Sequence, residues 1–275
     1  MTKIIFFDID GTLRDEAEGI PKSVKTAFSQ CRINGCKLVI CTGRSMGTIQ
    51  EDVMELGADG YITGGGCRIQ YGTSILKDEA FASDLVGKLL EQFRQEKDNG
   101  ITMESENLVF MNARAASLLK SRNQKLGKDE RSEKITYKEN LNSLRVEDHR
   151  IHKICFWTYE DNGKLLKELL EVKAQLAQSG RWEDFMYYEL IPKGCGKGNA
   201  VQTLCCHLGI QLKDAMSFGD GKNDIDMLKV TGISAAMENG DRELFPYADL
   251  ICREPMKDGI YKALIETGVI TGVIE

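Results

Sequence analysis

The stretch that most limits what this chain can fold into is Lys3-Ile4-Ile5-Phe6-Phe7-Asp8-Ile9-Asp10-Gly11-Thr12. Four consecutive apolar residues, β-branched or aromatic, read as a strand covered on both faces, as in a parallel sheet. Two carboxylates follow at once, two positions apart, so an extended chain points both the same way, and Gly11 then permits a sharp turn. Parallel sheets bind ligands beyond the carboxyl ends of their strands. Two acids held so close repel unless a cation or a shared proton intervenes, which points to a hard metal, an acid/base couple, or both. An ordinary Asp-Gly turn is the competing explanation for this stretch alone.

The same unit recurs. Residues 21–34 carry Val24, Ala27, Phe28 and Cys31 at helical spacing, with Gly35 at the C-terminal cap position. Residues 37–41 form a second buried strand ending in Thr42-Gly43-Arg44, then Ile49, Val53 and Leu56 mark a helix, and residues 59–63 form a strand running into Gly64-Gly65-Gly66. Alternating strand and helix implies a parallel sheet with right-handed crossovers. A triple glycine brings its backbone close to something. From about residue 80 the pattern changes: a helix from Ser83, strands at 108–112 and 151–159, a helix over 164–178 with Leu165, Leu169, Val172 and Leu176 inward, and a strand at 185–191. Residues 121–138 show no clear period. The first pattern then resumes, with a helix on Val201, Leu204, Cys205 and Leu208, a strand at 215–218 ending in Gly219-Asp220-Gly221-Lys222-Asn223-Asp224, strands at 233–236 and 250–252, and a helix over 259–267. The expected fold is therefore α/β, a core of residues 1–80 and 191–275 interrupted by an α+β domain of residues 81–190.

Composition narrows the partners. A net charge of −6 over 275 residues argues against a general electrostatic grip on nucleic acid or an anionic membrane. The apolar runs are strand-sized and no leader pattern opens the chain, which places it in the cytoplasm. Nine cysteines without a C-x-x-C read as reduced, mostly buried thiols. Residues 81–190 hold 18 Lys plus Arg against 19 Asp plus Glu, so a small substrate suits the insertion better than a polyanion.

In a parallel sheet, Asp8, Asp10, Thr42, Asp220 and Asp224 share one rim, and four carboxylates there need cations. Mg²⁺ suits oxygen ligands and keeps waters that a phosphate oxygen can replace. Lys197, in Lys193-Gly194-Cys195-Gly196-Lys197-Gly198, opens a helix whose backbone N–H groups and ammonium suit an anion. A P-loop does not fit, because Gly198 holds its Ser/Thr position. His149 and His152 read as surface neighbours, His207 as a helix residue, Arg44 as structural, and Trp157 and Trp182 as core of the insertion.

Asp-x-Asp-Gly-Thr, Thr42-Gly43-Arg44, a lysine at a helix start and Gly-Asp-Gly-x-Asn-Asp together resemble the four motifs of the haloacid dehalogenase superfamily. The insertion between the second and third is similar to the class IIB cap of Cof-type phosphatases. That resemblance implies a Rossmann-like, doubly wound core and a Mg²⁺-dependent phosphatase. It further implies Asp8 as nucleophile forming an aspartyl-phosphate, and Asp10 as general acid/base. Mg²⁺ would sit on the carboxylates of Asp8 and Asp220 and the Asp10 carbonyl. Phosphate would be held by Lys197, Thr42, Asn223 and the amides of Ile9 and Gly43, with Asp224 orienting Lys197 or a metal-bound water and the cap reading the leaving group. The implied substrate is a small phosphorylated metabolite, a sugar phosphate or a phosphorylated cofactor, on a monomer or weak homodimer. A same-fold phosphomutase and a phospho-accepting signalling receiver are the alternatives. One departure stands out: the third-strand loop reads Gly65-Gly66-Cys67 where similar proteins carry Asn-Gly-Ala, removing a side-chain amide.

Overall fold

A computed structural model describes residues 2–94, 97–125, 137–138, 140–159, 174–182 and 184–272. The chain folds into two compact units, one made of Met1–Gly43, Glu51–Lys77 and Gly196–Glu275, the other of Arg44–Gln50 and Asp78–Cys195.

The first unit begins β1 (Ile4–Phe7), α1 (Lys22–Ile33), β2 (Lys37–Cys41), α2 (Glu51–Met54), β3 (Gly60–Thr63), β4 (Arg68–Tyr71) and β5 (Ser74–Asp78). The inserted elements are α3 (Ser83–Phe93), β6 (Gly100–Glu104), β7 (Val109–Met111), α4 (Ala113–Lys125), β8 (Tyr137–Lys138), β9 (Lys153–Thr158), β10 (Ala174–Trp182) and β11 (Phe185–Pro192). The first unit resumes with α5 (Lys197–His207), β12 (Ala215–Gly219), α6 (Ile225–Val230), β13 (Ile233–Met237), β14 (Leu250–Cys252) and α7 (Gly259–Glu266).

The core sheet runs β14-β13-β12-β1-β2-β3-β4-β5. Its six strands from β14 to β3 are parallel, and β1 lies between β2 and β12, with Ile4 opposite both Lys37 and Ala215. Every residue of β1 is inaccessible to solvent, as its unbroken apolar run requires. Phe7 stacks between Phe28 of α1 and Phe218 of β12, at 4.9 and 5.3 Å between ring centroids. The buried face of α1 is Val24, Ala27, Phe28 and Cys31, the spacing read from the sequence. The sheet is not parallel throughout: β4 pairs antiparallel with β3, and β5 lies beyond it at the edge.

The insertion has its own sheet, ordered β10-β11-β9-β6-β7-β8 and mostly antiparallel. One face is apolar, with Met103, Ile154, Phe156 and Leu190 packed in a cluster with Val86, Leu89 and Phe93 of α3. Trp157 is buried and packs against Tyr187, with ring centroids 5.0 Å apart, as core of this unit. The side chain of Trp182 lies outside the described residues. The short segment Arg44–Gln50 belongs to this unit because the Gly47 N–H bonds the Glu106 carbonyl at 2.9 Å, and a Cβ on Gly47 would overlap the Asn107 backbone.

The helix expected over 164–178 is corrected at its end. Residues 164–173 lie outside the described ones, whereas Ala174 onward is strand β10, paired with β11 from Ala174 opposite Pro192. Leu176, expected inward, is 42% exposed. Cross-strand pairing overrides the helical spacing here, and a register shift between Leu176 and Gln178 breaks the alternation that would have marked a strand. Helix α4 was not read from the sequence, although Asn112 caps it by accepting from the Ala115 N–H at 2.9 Å.

Candidate active site

The turn after β1 is built to hold acidic groups. Asp8 extends the strand, its N–H bonding the Phe218 carbonyl at 3.0 Å. The Ile9 carbonyl then accepts from Leu13 at 3.0 Å and Arg14 at 3.1 Å, which reverses the chain. Gly11 sits at φ 77°, and a Cβ there would drive into the Asp220 carboxylate, so only glycine lets the two strand ends meet. Thr12 donates from Oγ1 to Asp220 Oδ1 at 3.1 Å, and Asn239 Nδ2 donates to the Gly11 carbonyl at 2.9 Å. Asn239 was not expected: it stands far from every motif, and no local pattern announced it.

Lys197 is the first residue of α5 and is 2% exposed. Its Nζ lies 2.7 Å from Asp8 Oδ1 and 2.5 Å from Asp224 Oδ1. Asp224 Oδ2 in turn accepts from the Asp220 N–H at 3.1 Å and the Gly221 N–H at 3.0 Å. Asp224 is thus engaged on both oxygens and aims the ammonium at Asp8. Sequence reasoning expected the opening amides of α5 to help hold an anion, and the structure narrows this. The Gly198 N–H already donates to Asp226 Oδ2 at 2.9 Å, so that opening amide is taken, while the Lys197 side chain reaches Asp8.

Three carboxylates therefore face one ammonium. Burial, then the Asp224 charge, push the Asp8 carboxyl up to about 7 against the pull of Lys197. Burial and the neighbouring Asp8 and Asp224 charges push Asp220 up to about 9. Burial alone would lower the Lys197 ammonium, but Asp224 and Asp8 hold it above its usual range. Carboxyl oxygens of Asp8, Asp220 and Asp224 lie within 4.8 Å of one another, the one such grouping among the described residues. The raised carboxyls of Asp8 and Asp220, in a cluster that offers only oxygen donors, fit a hard divalent cation that would displace their protons.

The other expected residues are placed as follows. Ile9 is fully buried in the turn, Asp10 is half-buried beside it, and the Asp10 charge adds to the upward push on Asp8. Asp10 is not one of the three clustered carboxylates. Thr42 is buried at the end of β2, its carbonyl accepting from the Gly65 N–H at 3.0 Å, and Gly43 follows it. The Asn223 side chain lies over Gly221, with Oδ1 2.6 Å from where a Cβ would stand. The triple glycine has its explanation in Gly66, at φ 96°, whose missing side chain leaves room for the Gly196 carbonyl just before Lys197. The expectation that both histidines face solvent is corrected for His152, which is only 3% exposed because its ring bonds Asp78 at 2.5 Å, whereas the partly buried His149 packs on Phe110. Arg44 is structural, its Nη1 donating to the Thr48 carbonyl at 3.0 Å.

A family model for haloacid dehalogenase-like hydrolases matches residues 5–264, nearly the whole chain. The chain belongs to that family. This hydrolase is 25% identical over 269 residues to YkrA of Bacillus subtilis (strain 168), a phosphatase by name, covering 98% of this chain and 99% of that one. It is 26% identical over 263 residues to the HMP-PP phosphatase of Cronobacter sakazakii, covering 89% and 87% of the two chains. The solved structure of the subclass IIB sugar phosphatase BT4131 superposes with a TM-score of 0.78 at 27% identity, over 98% of this hydrolase and all of that chain. A Geobacillus kaustophilus protein of 24% identity shares the fold with a TM-score of 0.82, again over 98% of this hydrolase and 100% of its own chain. The likeness to class IIB, Cof-type proteins read from the motifs is borne out. No helix among the described residues is long and apolar enough to cross a membrane.

Proposed function

We propose that this hydrolase is a Mg²⁺-dependent phosphatase that cleaves a small phosphate monoester through an aspartyl-phosphate on Asp8. The observation that carries the reading is the Lys197 ammonium bridging Asp8 at 2.7 Å and Asp224 at 2.5 Å, beside a third buried carboxylate at Asp220. A lysine so placed offsets the repulsion between an attacking carboxylate and an incoming phosphate dianion.

An Asp8 carboxylate oxygen attacks phosphorus in line as the bond to the alcohol oxygen breaks, and Asp10 gives that oxygen its proton. Asp10 then takes a proton from water, whose oxygen attacks the same phosphorus and releases phosphate, restoring the Asp8 carboxylate. Thr42, Asn223 and the Ile9 and Gly43 amides donate to the phosphoryl oxygens. Mg²⁺, held by the Asp8 and Asp220 carboxylates and the Asp10 carbonyl, would supply the remaining positive charge. Asp224 keeps Lys197 aimed while this happens. Residues 81–190 act as the cap domain in this reading, and the names of the relatives favour phosphorylated metabolites as substrates.

The test is phosphate release from a panel of phosphate esters with Mg²⁺, with excess EDTA, and with Asp8→Asn. Turnover is expected only with Mg²⁺ and an intact Asp8. Activity surviving both EDTA and the substitution would refute the assignment.

A further inference from the structure

The turn after β1 depends on an outside group to keep its shape. Gly11, at φ 77°, is the residue type with the widest conformational freedom, and it stands immediately after Asp10. Two peptide units meet there. The first joins the Asp10 carbonyl to the Gly11 N–H, and because a trans peptide is planar, the bond from that N–H to the Arg14 carbonyl at 3.0 Å also fixes the direction of the Asp10 carbonyl. The second joins the Gly11 carbonyl to the Thr12 N–H. Its N–H reaches the Ile9 carbonyl only at 3.3 Å, a long bond, whereas its carbonyl accepts from Asn239 Nδ2 at 2.9 Å. A carbonyl can only accept, so the amide nitrogen of Asn239 is the atom that faces it.

Asn239 reaches this turn from two strands away. It follows β13, and β12, with Asp220 just past its end, lies between β13 and β1 in the sheet. The turn that carries Asn239 also grips Asp220: the Asp241 N–H donates to the Asp220 carbonyl at 2.8 Å, and a Cβ on Gly240 would overlap the Asp220 backbone. That turn has a firm base. The Gly240 N–H bonds the Met237 carbonyl at 3.0 Å, Asp241 Oδ1 accepts from the Glu243 N–H at 3.0 Å, and Leu244 just beyond is fully buried in a cluster with Leu228 and Ala236. Residues 239–241 therefore tie the strand end that carries Asp220 to the turn that carries Asp10. The Asn239 side chain itself is exposed, where water is an alternative partner, so its bond adds little to stability and its consequence is one of position.

We propose that Asn239 is a positioning residue of the metal site, setting the separation of the Asp10 carbonyl and the Asp220 carboxylate that would hold Mg²⁺. This rests on the phosphatase reading above. The test compares the parent with Asn239→Ala, Asn239→Leu, which has a like shape without a donor, and Asn34→Ala. The last breaks a bond of the same kind, from Asn34 Nδ2 to the Val269 carbonyl at 2.8 Å, at the end of α1 that precedes β2, away from the carboxyl ends of the strands. Each full-length protein is titrated with MgCl₂ by isothermal calorimetry without substrate, and phosphate release from p-nitrophenyl phosphate is followed against Mg²⁺ concentration. Loss of a group that orients a metal ligand commonly weakens metal binding by about 10–100-fold, so both Asn239 variants are expected to bind Mg²⁺ about tenfold more weakly in the two readouts. Their kcat at saturating Mg²⁺ is expected to stay within about twofold of the parent, because excess metal refills the site. Asn34→Ala is expected to keep the parent's Mg²⁺ affinity, whatever it loses in melting temperature. Asn239 variants that bind Mg²⁺ as the parent does, or a weakening shared by Asn34→Ala, would overturn the assignment while leaving Mg²⁺-dependent turnover in place. Failure of both Asn239 variants to fold by circular dichroism would show a structural role and overturn it equally; if only one fails, the other decides. A parent that binds no Mg²⁺ and turns over in EDTA would instead remove the metal site, and the role of Asn239 with it.

Discussion

At Asp8 the decisive quantity is charge imbalance: one ammonium serves three carboxylates within a few ångströms. In the proposed mechanism Asp10 has a separate task, and separating it is a clean test. Asp10→Asn keeps the backbone carbonyl but removes the titrating group, so Asp8 is expected to become phosphorylated while hydrolysis of the acyl phosphate slows about 10²-fold or more. Mass spectrometry of the quenched enzyme should show an adduct of one phosphoryl group, and unchanged steady-state turnover would take Asp10 out of its role. The acidic residues, Lys197 and Asp224 were legible because each follows a strand or opens a helix in a recognisable local pattern. Asn239 and Asp226 were not, because their partners, Gly11 and Gly198, are fixed only by the fold.

Among the elements, the loop after β3 shows how a backbone choice positions a side chain elsewhere. Gly66 has φ 96°, and its hydrogen atom occupies the space where a Cβ would meet the Gly196 carbonyl, one residue before Lys197. Gly66→Ala is expected to destabilise the protein by roughly 1–3 kcal/mol and to displace the start of α5. Urea unfolding would read the first effect, and kcat for phosphate release the second; a variant as stable and active as the parent would show the contact to be slack. Sequence patterns found the buried strands of the core because apolar runs there are unbroken. They failed at residues 174–178, where an apolar spacing fit for a helix lies on a strand, and at α4, whose cap Asn112 is a single polar residue with little periodicity behind it.

For the molecule as a whole, the raised carboxyls set a dependence of stability on pH. Asp8 at about 7 and Asp220 at about 9 both lie above the ordinary 3.8, so without metal the folded chain keeps protons that the unfolded chain has lost. Folded stability therefore falls as pH rises from about 4 to about 9, and it is least affected below that window. Mg²⁺ would replace those protons, so its gain in melting temperature should be larger at pH 8.5 than at pH 6, and Asp220→Asn should flatten both trends. Differential scanning calorimetry with EDTA and with Mg²⁺ checks this; a gain independent of pH would mean that the ion binds elsewhere.

The central position of β1 has a further consequence, for how the protein is made. Thr12 waits for Asp220, 208 positions later, and β1 stays unpaired along one edge until β12 has been synthesised. At ribosomal speeds of about 5–20 residues per second, that is a delay on the order of 10–40 s, with a wholly apolar strand lacking one of its two neighbours. Any chain that terminates early within the insertion carries this exposed edge permanently, making truncated products of this enzyme natural clients for chaperones and proteases.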